Sequence, residues 1–226
     1  MAETLAASQG QTLEPSSKLH FPDDASLPGT SFEPRQNDAT GDYTPNPAKS
    51  LPLSAARQAL VDDIIALYAL GATVDRVKRY TPDAVYNDEL GYANDRYKIA
   101  GQWFGLPYVF REGKSRSHEI VTNDRDLIQF RHEMEWTPKL LPKKVTLRSL
   151  VSLSLDPATR DDVEFIRVKY HKDQAYAEDY NNEGIGAMMK KWQAEATVRI
   201  LGSVNPDLAA FACDKGAGDR DERRQD

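Results

Sequence analysis

The chain has 226 residues, 40% hydrophobic and 28% charged, with a formal net charge of −6 and one cysteine. A lone Cys213 excludes an intrachain disulfide, and the longest apolar runs fall far short of the roughly 20 residues a membrane helix needs. What remains is one ordinary domain with polar extensions, expected in a reducing, cytoplasmic setting.

Residues 1–52 contain no Val, Ile, Trp or Cys and hold seven of the 13 prolines. Such a segment buries too little apolar surface to offset its chain entropy, so a disordered Pro-rich arm is expected. Glu3, Glu14 and the lack of arginine before Arg35 do not suit a targeting peptide. Residues 213–226 read as a charged, solvated tail. The domain between them, 53–212, has 23 acidic and 22 basic residues. Without a basic stripe it lacks the charge that phosphate binding needs, so nucleic acid is not expected as a partner.

Within the domain, Ser54 can cap a helix over Ala55 to Leu70, with Leu60, Ile64, Leu67 and Tyr68 at helical spacing and Gly71 ending it. A second helix is expected over Val74 to Tyr80, stopped by Thr81-Pro82, then a short strand at Ala84-Val85-Tyr86. Asp95 to Phe104, ending before Pro107, reads as a third helix with an Ile99, Ala100, Trp103 and Phe104 face. From Ser117 the period changes to two, giving strands at His118–Thr122, Leu127–Trp136, Val145–Leu155 and Val163–Lys172, and an antiparallel meander is expected. A last helix starts near Gly186. The order implies an α+β fold, a curved antiparallel sheet with helices on its concave side and room for an apolar cavity between them.

Three strings carry a family resemblance: Arg79 to Asp88 after two helices, Ile99 to Phe104 leading into Leu106-Pro107, and His171-Lys172-Asp173 closing the last strand. In this order they resemble the NTF2-like superfamily, in particular its SnoaL-like branch and the uncharacterised fungal-type members, over roughly Leu53 to Leu201. The resemblance implies a cone-shaped α+β barrel that binds small molecules and a homodimer through the outer face of the sheet. It spans isomerases, cyclases, dehydratases and members without known activity, so it does not fix a reaction.

Asp88 lies where the resemblance to ketosteroid isomerases places a proton-shuttling carboxylate, eight residues beyond Tyr80; it also suits a cap on the turn before Glu89-Leu90-Gly91. The tyrosine that assists it in those enzymes would fall near Ile64, which has no donor. His171 and Asp173 share a strand face and could form an acid–base pair, but plain alternation puts them with Phe165, Arg167 and Lys169, outside the cone, unless a bulge re-aims them. Ala175 stands where the resemblance expects a tryptophan. His132, between Phe130, Met134 and Trp136, faces inward as catalyst or core residue, and His118 could pair with it. Tyr80, Trp103, Phe104, Tyr108 and Trp136, with His118, are candidate ligand contacts that equally suit a core.

The four histidines and one cysteine show no metal-ligand spacing, and Gly184-Ile185-Gly186 lacks the third glycine of a dinucleotide loop. No cofactor or metal is expected. Three functions stay open: a domain holding a small, mainly apolar molecule, an acid–base isomerase, cyclase or dehydratase, and a non-catalytic dimeric interaction module.

Overall fold

The computed structural model describes residues 19–34, 43–89, 91–140, 143–175, 197 and 205–222. Its elements are α1 (Ala55–Tyr68), α2 (Val74–Val77), β1 (Tyr80–Asn87), β2 (Tyr92–Ala93), α3 (Arg96–Val109), β3 (Phe110–Asn123), β4 (Leu127–Pro138), β5 (Val145–Leu155), β6 (Val168–Ala175), a 3-10 helix Pro206–Asp214 and α4 (Ala217–Glu222). The last helix expected from Gly186 lies outside the described residues.

Each early helix starts on a side chain that accepts from a backbone amide three residues on: Ser54 from Arg57, Thr73 from Arg76 and Asp95 from Lys98. At the end of α1 it is Leu70, not Gly71, that takes the left-handed conformation, with φ 63°. Gly71 N–H then donates back to the Ala66 carbonyl at 2.8 Å and closes the turn. The second helix is shorter than expected, because Tyr80 leaves it to pair with Val168 in the sheet. α3 runs through Pro107 to Val109 rather than stopping before it.

The six strands form one open sheet in the order β2-β1-β6-β5-β4-β3. β3 to β6 are the expected meander, and β1 joins it by parallel pairing with β6. α1 and α3 pack on one face, where Leu60, Ile64, Leu67, Ile99 and Trp103 meet Ile120, Phe130, Val151 and Leu153 in the main core. The architecture is thus α+β with helices on one side of the sheet.

The opposite face is covered near β1 and β6 by the chain's own N-terminal segment. Phe21 and Phe32 pack with Val85, Leu127 and Tyr170 in a second apolar cluster. Charges flank it: Lys169 Nζ donates to the Asp83 carboxylate at 2.7 and 2.9 Å and to the Leu27 carbonyl at 3.1 Å. Lys172 reaches Glu33 at 3.2 Å, and Arg160 reaches Asp23 at 2.6 Å. Residues 19–34 therefore form a strap where a disordered arm was expected, because two phenylalanines and complementary charges give a polar segment specific anchors.

The expected solvated tail differs in the same way. Asp214 accepts from Arg96 Nε at 2.7 Å, and Gly216 N–H donates to Asp95 Oδ2 at 2.8 Å, holding the 3-10 helix and α4 against α3. No helix among the described residues is long and apolar enough to cross a membrane.

Candidate functional site

β6 decides what faces the cavity. Leu155 pairs with Val168 and Ser154 with Tyr170, so one step along β5 matches two along β6 and Lys169 is the extra residue. Val168 thus points into the main core, while Lys169 and Tyr170 both meet the strap. After this bulge the alternation resumes one residue out of phase. His171 and Asp173 point inward, correcting the placement that unbroken alternation predicts.

Once turned inward, His171 joins a buried chain of hydrogen bonds. Tyr80 Oη lies 2.8 Å from its Nδ1, Tyr68 Oη lies 3.0 Å from its Nε2, and Tyr68 donates to Asp173 Oδ2 at 2.7 Å. Tyr68 has one proton, and Asp173 takes it. The His171 Nε2–H therefore donates to the Tyr68 oxygen, and Nδ1 accepts from Tyr80. Every bond then runs one way, from Tyr80 through a neutral imidazole to the carboxylate. Burial, and the charge of His132 after it, lowers the His171 pKa to about 3, which keeps the ring neutral. Burial likewise raises Tyr68 and Tyr80, so neither ionises.

Asp173 ends the chain in the wall of a cavity of about 140 Å³, lined also by Tyr68, Tyr86, Trp103, Phe110 and Trp136. The residue is only 7% exposed, and its Oδ1 has no hydrogen-bond partner. Burial is the largest influence on its pKa and raises it to about 6; the Tyr68 hydroxyl and, more weakly, the Ser149 hydroxyl pull it down, and the Asp88 and Glu89 charges add to the rise. Asp173 can thus exchange a proton near neutral pH, and the unpartnered oxygen is where that proton would sit.

Asp88 lies in the same wall. It accepts from Tyr86 Oη at 2.8 Å and, through its other oxygen, from the Gly91 amide. It is therefore both the cap of its turn and a lining group of the cavity. Gln102 and Trp103 line it too; Gln102 Nε2 is a buried N–H donor without a partner, whereas the Trp103 indole N–H lies near the Tyr80 hydroxyl and favours its ionised form.

The remaining candidates scatter. Trp136 lines the cavity, donating Nε1–H to the Tyr68 carbonyl at 3.0 Å. Tyr80 stands behind His171. Phe104 is buried in the core next to a separate surface hollow, and Tyr108, which shares that hollow, is exposed. His132 faces inward, its Nε2 2.9 Å from Ser115 Oγ and its ring edge-on to Tyr68, with its pKa lowered to about 4 by burial and then by His118. His118 sits directly across from it on β3. Neither histidine lines the cavity. No cluster of three or more metal-ligating side chains occurs among the described residues.

Tyr68, Tyr86 and Gln102 belong to the site and were not singled out from sequence. Tyr68 occupies an apolar position of α1, where its hydroxyl needed a buried partner, and that demand was the available signal.

No family model matches the chain, and no curated protein matches it by sequence. Solved structures do match. An NTF2-like protein from Anabaena variabilis is 15% identical over 55% of this chain and 88% of its own, with a TM-score of 0.44. A protein with a ketosteroid isomerase-like fold from Catenulispora acidiphila, solved with trimethylamine, is 13% identical over 50% of this chain and 82% of its own, with a TM-score of 0.40. A protein from Novosphingobium aromaticivorans, provisionally assigned as a scytalone dehydratase, is 11% identical over 57% of this chain and 88% of its own, with a TM-score of 0.44. Of these three, the Anabaena variabilis protein bears the superfamily name read from the sequence. No reaction, substrate or partner passes from them to this chain.

Proposed function

We propose that this cone-fold domain binds a small, mainly apolar molecule in the cavity between α1, α3 and the sheet, with Asp173 as its acid–base group. The observation that carries the reading is a buried carboxylate in the cavity wall with one oxygen tied to Tyr68 and the other unpartnered. A carboxyl poised near neutral pH in an apolar enclosure suits proton transfer to or from a bound molecule. Ionised, Asp173 would take a proton from the ligand onto Oδ1, while Tyr68 and His171 behind it hold its orientation. Returned to another atom of the same molecule, that proton completes an isomerisation with no co-reactant. Gln102 supplies an N–H donor for a ligand oxygen that gains charge as the proton leaves.

The volume of about 140 Å³ favours this over an interaction module with a closed core. It is small beside the ~300–1,000 Å³ of drug-sized sites, so the ligand has about ten heavy atoms or fewer. Asp173 in the cavity wall, with His171 two residues earlier hydrogen-bonded behind it, supports the SnoaL-like reading.

The test is a titration of the full chain with small neutral ketones, phenols and cyclic alcohols, followed by thermal shift and by the Trp103 and Trp136 indole resonances. A ligand at 100 times its Kd adds about 2.7 kcal/mol of stability. A hit whose binding depends on pH in the wild type but not in Asp173→Asn supports the reading. A library without a single hit on a folded protein overturns it.

A further inference from the structure

The cavity has an unbalanced lining. Its acids are Asp88, Glu89 and Asp173, and among the described residues no lysine, arginine or histidine lines it. The rest of the wall is mostly aromatic. Tyr68 and Tyr86 each meet Trp103 edge-on, at 5.0 and 5.2 Å between ring centres, and Tyr68 and Phe110 stack on Trp136 at 6.5 and 5.2 Å.

The two features point to one kind of ligand. Carboxylates beside apolar surface raise one another's cost of ionisation, and the Asp88 and Glu89 charges do oppose ionisation of Asp173. A cation in the cavity would remove that cost, and an anion would add to it. Aromatic faces carry negative potential and hold ammonium groups whose methyl substituents also bury apolar surface. The acids alone would make only an acidic cluster. Asp173 adds an independent requirement, because it is more than nine-tenths buried and its Oδ1 lacks a partner in the wall of the cavity.

We infer that the cavity selects a small organic ammonium compound, its cationic group set between the aromatic walls and the Asp88 and Asp173 carboxylates. This rests on the reading of the cavity as a ligand site and names the chemical class it takes. The unpartnered Gln102 N–H would meet an oxygen elsewhere on the same molecule.

Three probes of nearly equal shape separate charge from apolar fit: choline, its neutral carbon isostere 3,3-dimethylbutan-1-ol, and 3,3-dimethylbutanoate. Titrated calorimetrically into the full chain at pH 7.5, choline should bind at least tenfold tighter than the alcohol, and the carboxylate should not bind. Glu89 is exposed, so Glu89→Gln leaves the fold intact and should weaken choline severalfold without changing the alcohol. Asp88→Asn should weaken choline further. Equal or tighter binding of the alcohol overturns the ammonium inference and leaves the apolar cavity standing. Failure of choline and the alcohol alike also overturns it, and the neutral library then decides separately whether the cavity binds anything.

Discussion

The Tyr68 hydroxyl on α1 donates to Asp173 on β6 at 2.7 Å, joining residues 105 positions apart in the chain inside the main core. That bond couples the helical layer to the sheet and to the protonation state of the cavity, so its removal is visible in two ways. Tyr68→Phe leaves the His171 Nε2–H and Asp173 Oδ2 without their partner and should cost about 1–3 kcal/mol in urea denaturation. It also removes a bond that favours the carboxylate, so the Asp173 pKa should rise above its value of about 6 in a carbon-detected NMR titration. An unchanged pKa would mean that the hydroxyl does not act on the carboxylate.

Asp173 should set a pH dependence of its own. Its folded pKa of about 6 exceeds the ordinary 3.8, so between those values the folded chain holds more protons than the unfolded one. The stability this group contributes is complete below about pH 4 and lost as pH rises through about 6, amounting to about 3 kcal/mol. Asp173→Asn should therefore gain on the wild type across that window and hold a constant lead above it. A difference that is flat from pH 4 to 7.5 would show an unperturbed carboxyl.

The two buried histidines act in the opposite sense. His171 and His132 have folded pKa values of about 3 and 4 against an ordinary 6.5, so acid protonates the unfolded chain first. Their stability is complete above about pH 6.5 and lost as pH falls through the folded values, about 2 kcal/mol each by pH 5. Together they outweigh Asp173, and the wild type should weaken on mild acidification. His132→Gln should remove a clear share of that slope, measured by denaturation at pH 5 and 7.5.

The strap should be part of the cooperative fold. Phe32 has no exposed surface, and Phe32→Ala should lower stability by about 3 kcal/mol. Gly29→Ala tests the same contact from the backbone, since its Cβ would collide with the Asp83 carbonyl. Both variants should accelerate proteolysis of the N-terminal segment under native conditions. Wild-type stability in Phe32→Ala would show that the segment contributes nothing.

Much of the scaffold was legible because burial imposes a period. β5 is the strand expected at Val145–Leu155, and His132, Phe130 and Met134 face inward as alternation requires. The site itself was less legible. Ile166, Val168 and Tyr170 look like one apolar face, but the bulge at Lys169 sends Val168 to the core and Tyr170 to the strap. That slip is a property of pairing with β5, and β6 read alone does not contain it. Averaged composition also concealed the strap, because Phe21 and Phe32 are isolated among prolines and acids and their value lies in what they meet.

The strap has a consequence for the order in which the molecule is assembled. Asp23, Leu27 and Glu33 bond to residues 137, 142 and 139 positions later in the chain. Contacts so distant close only after the intervening loop has been shortened by the rest of the fold. The strap, which precedes β6 in the chain, must therefore wait until β6 has been made and paired, and the outer face of β1 and β6 stays bare until then.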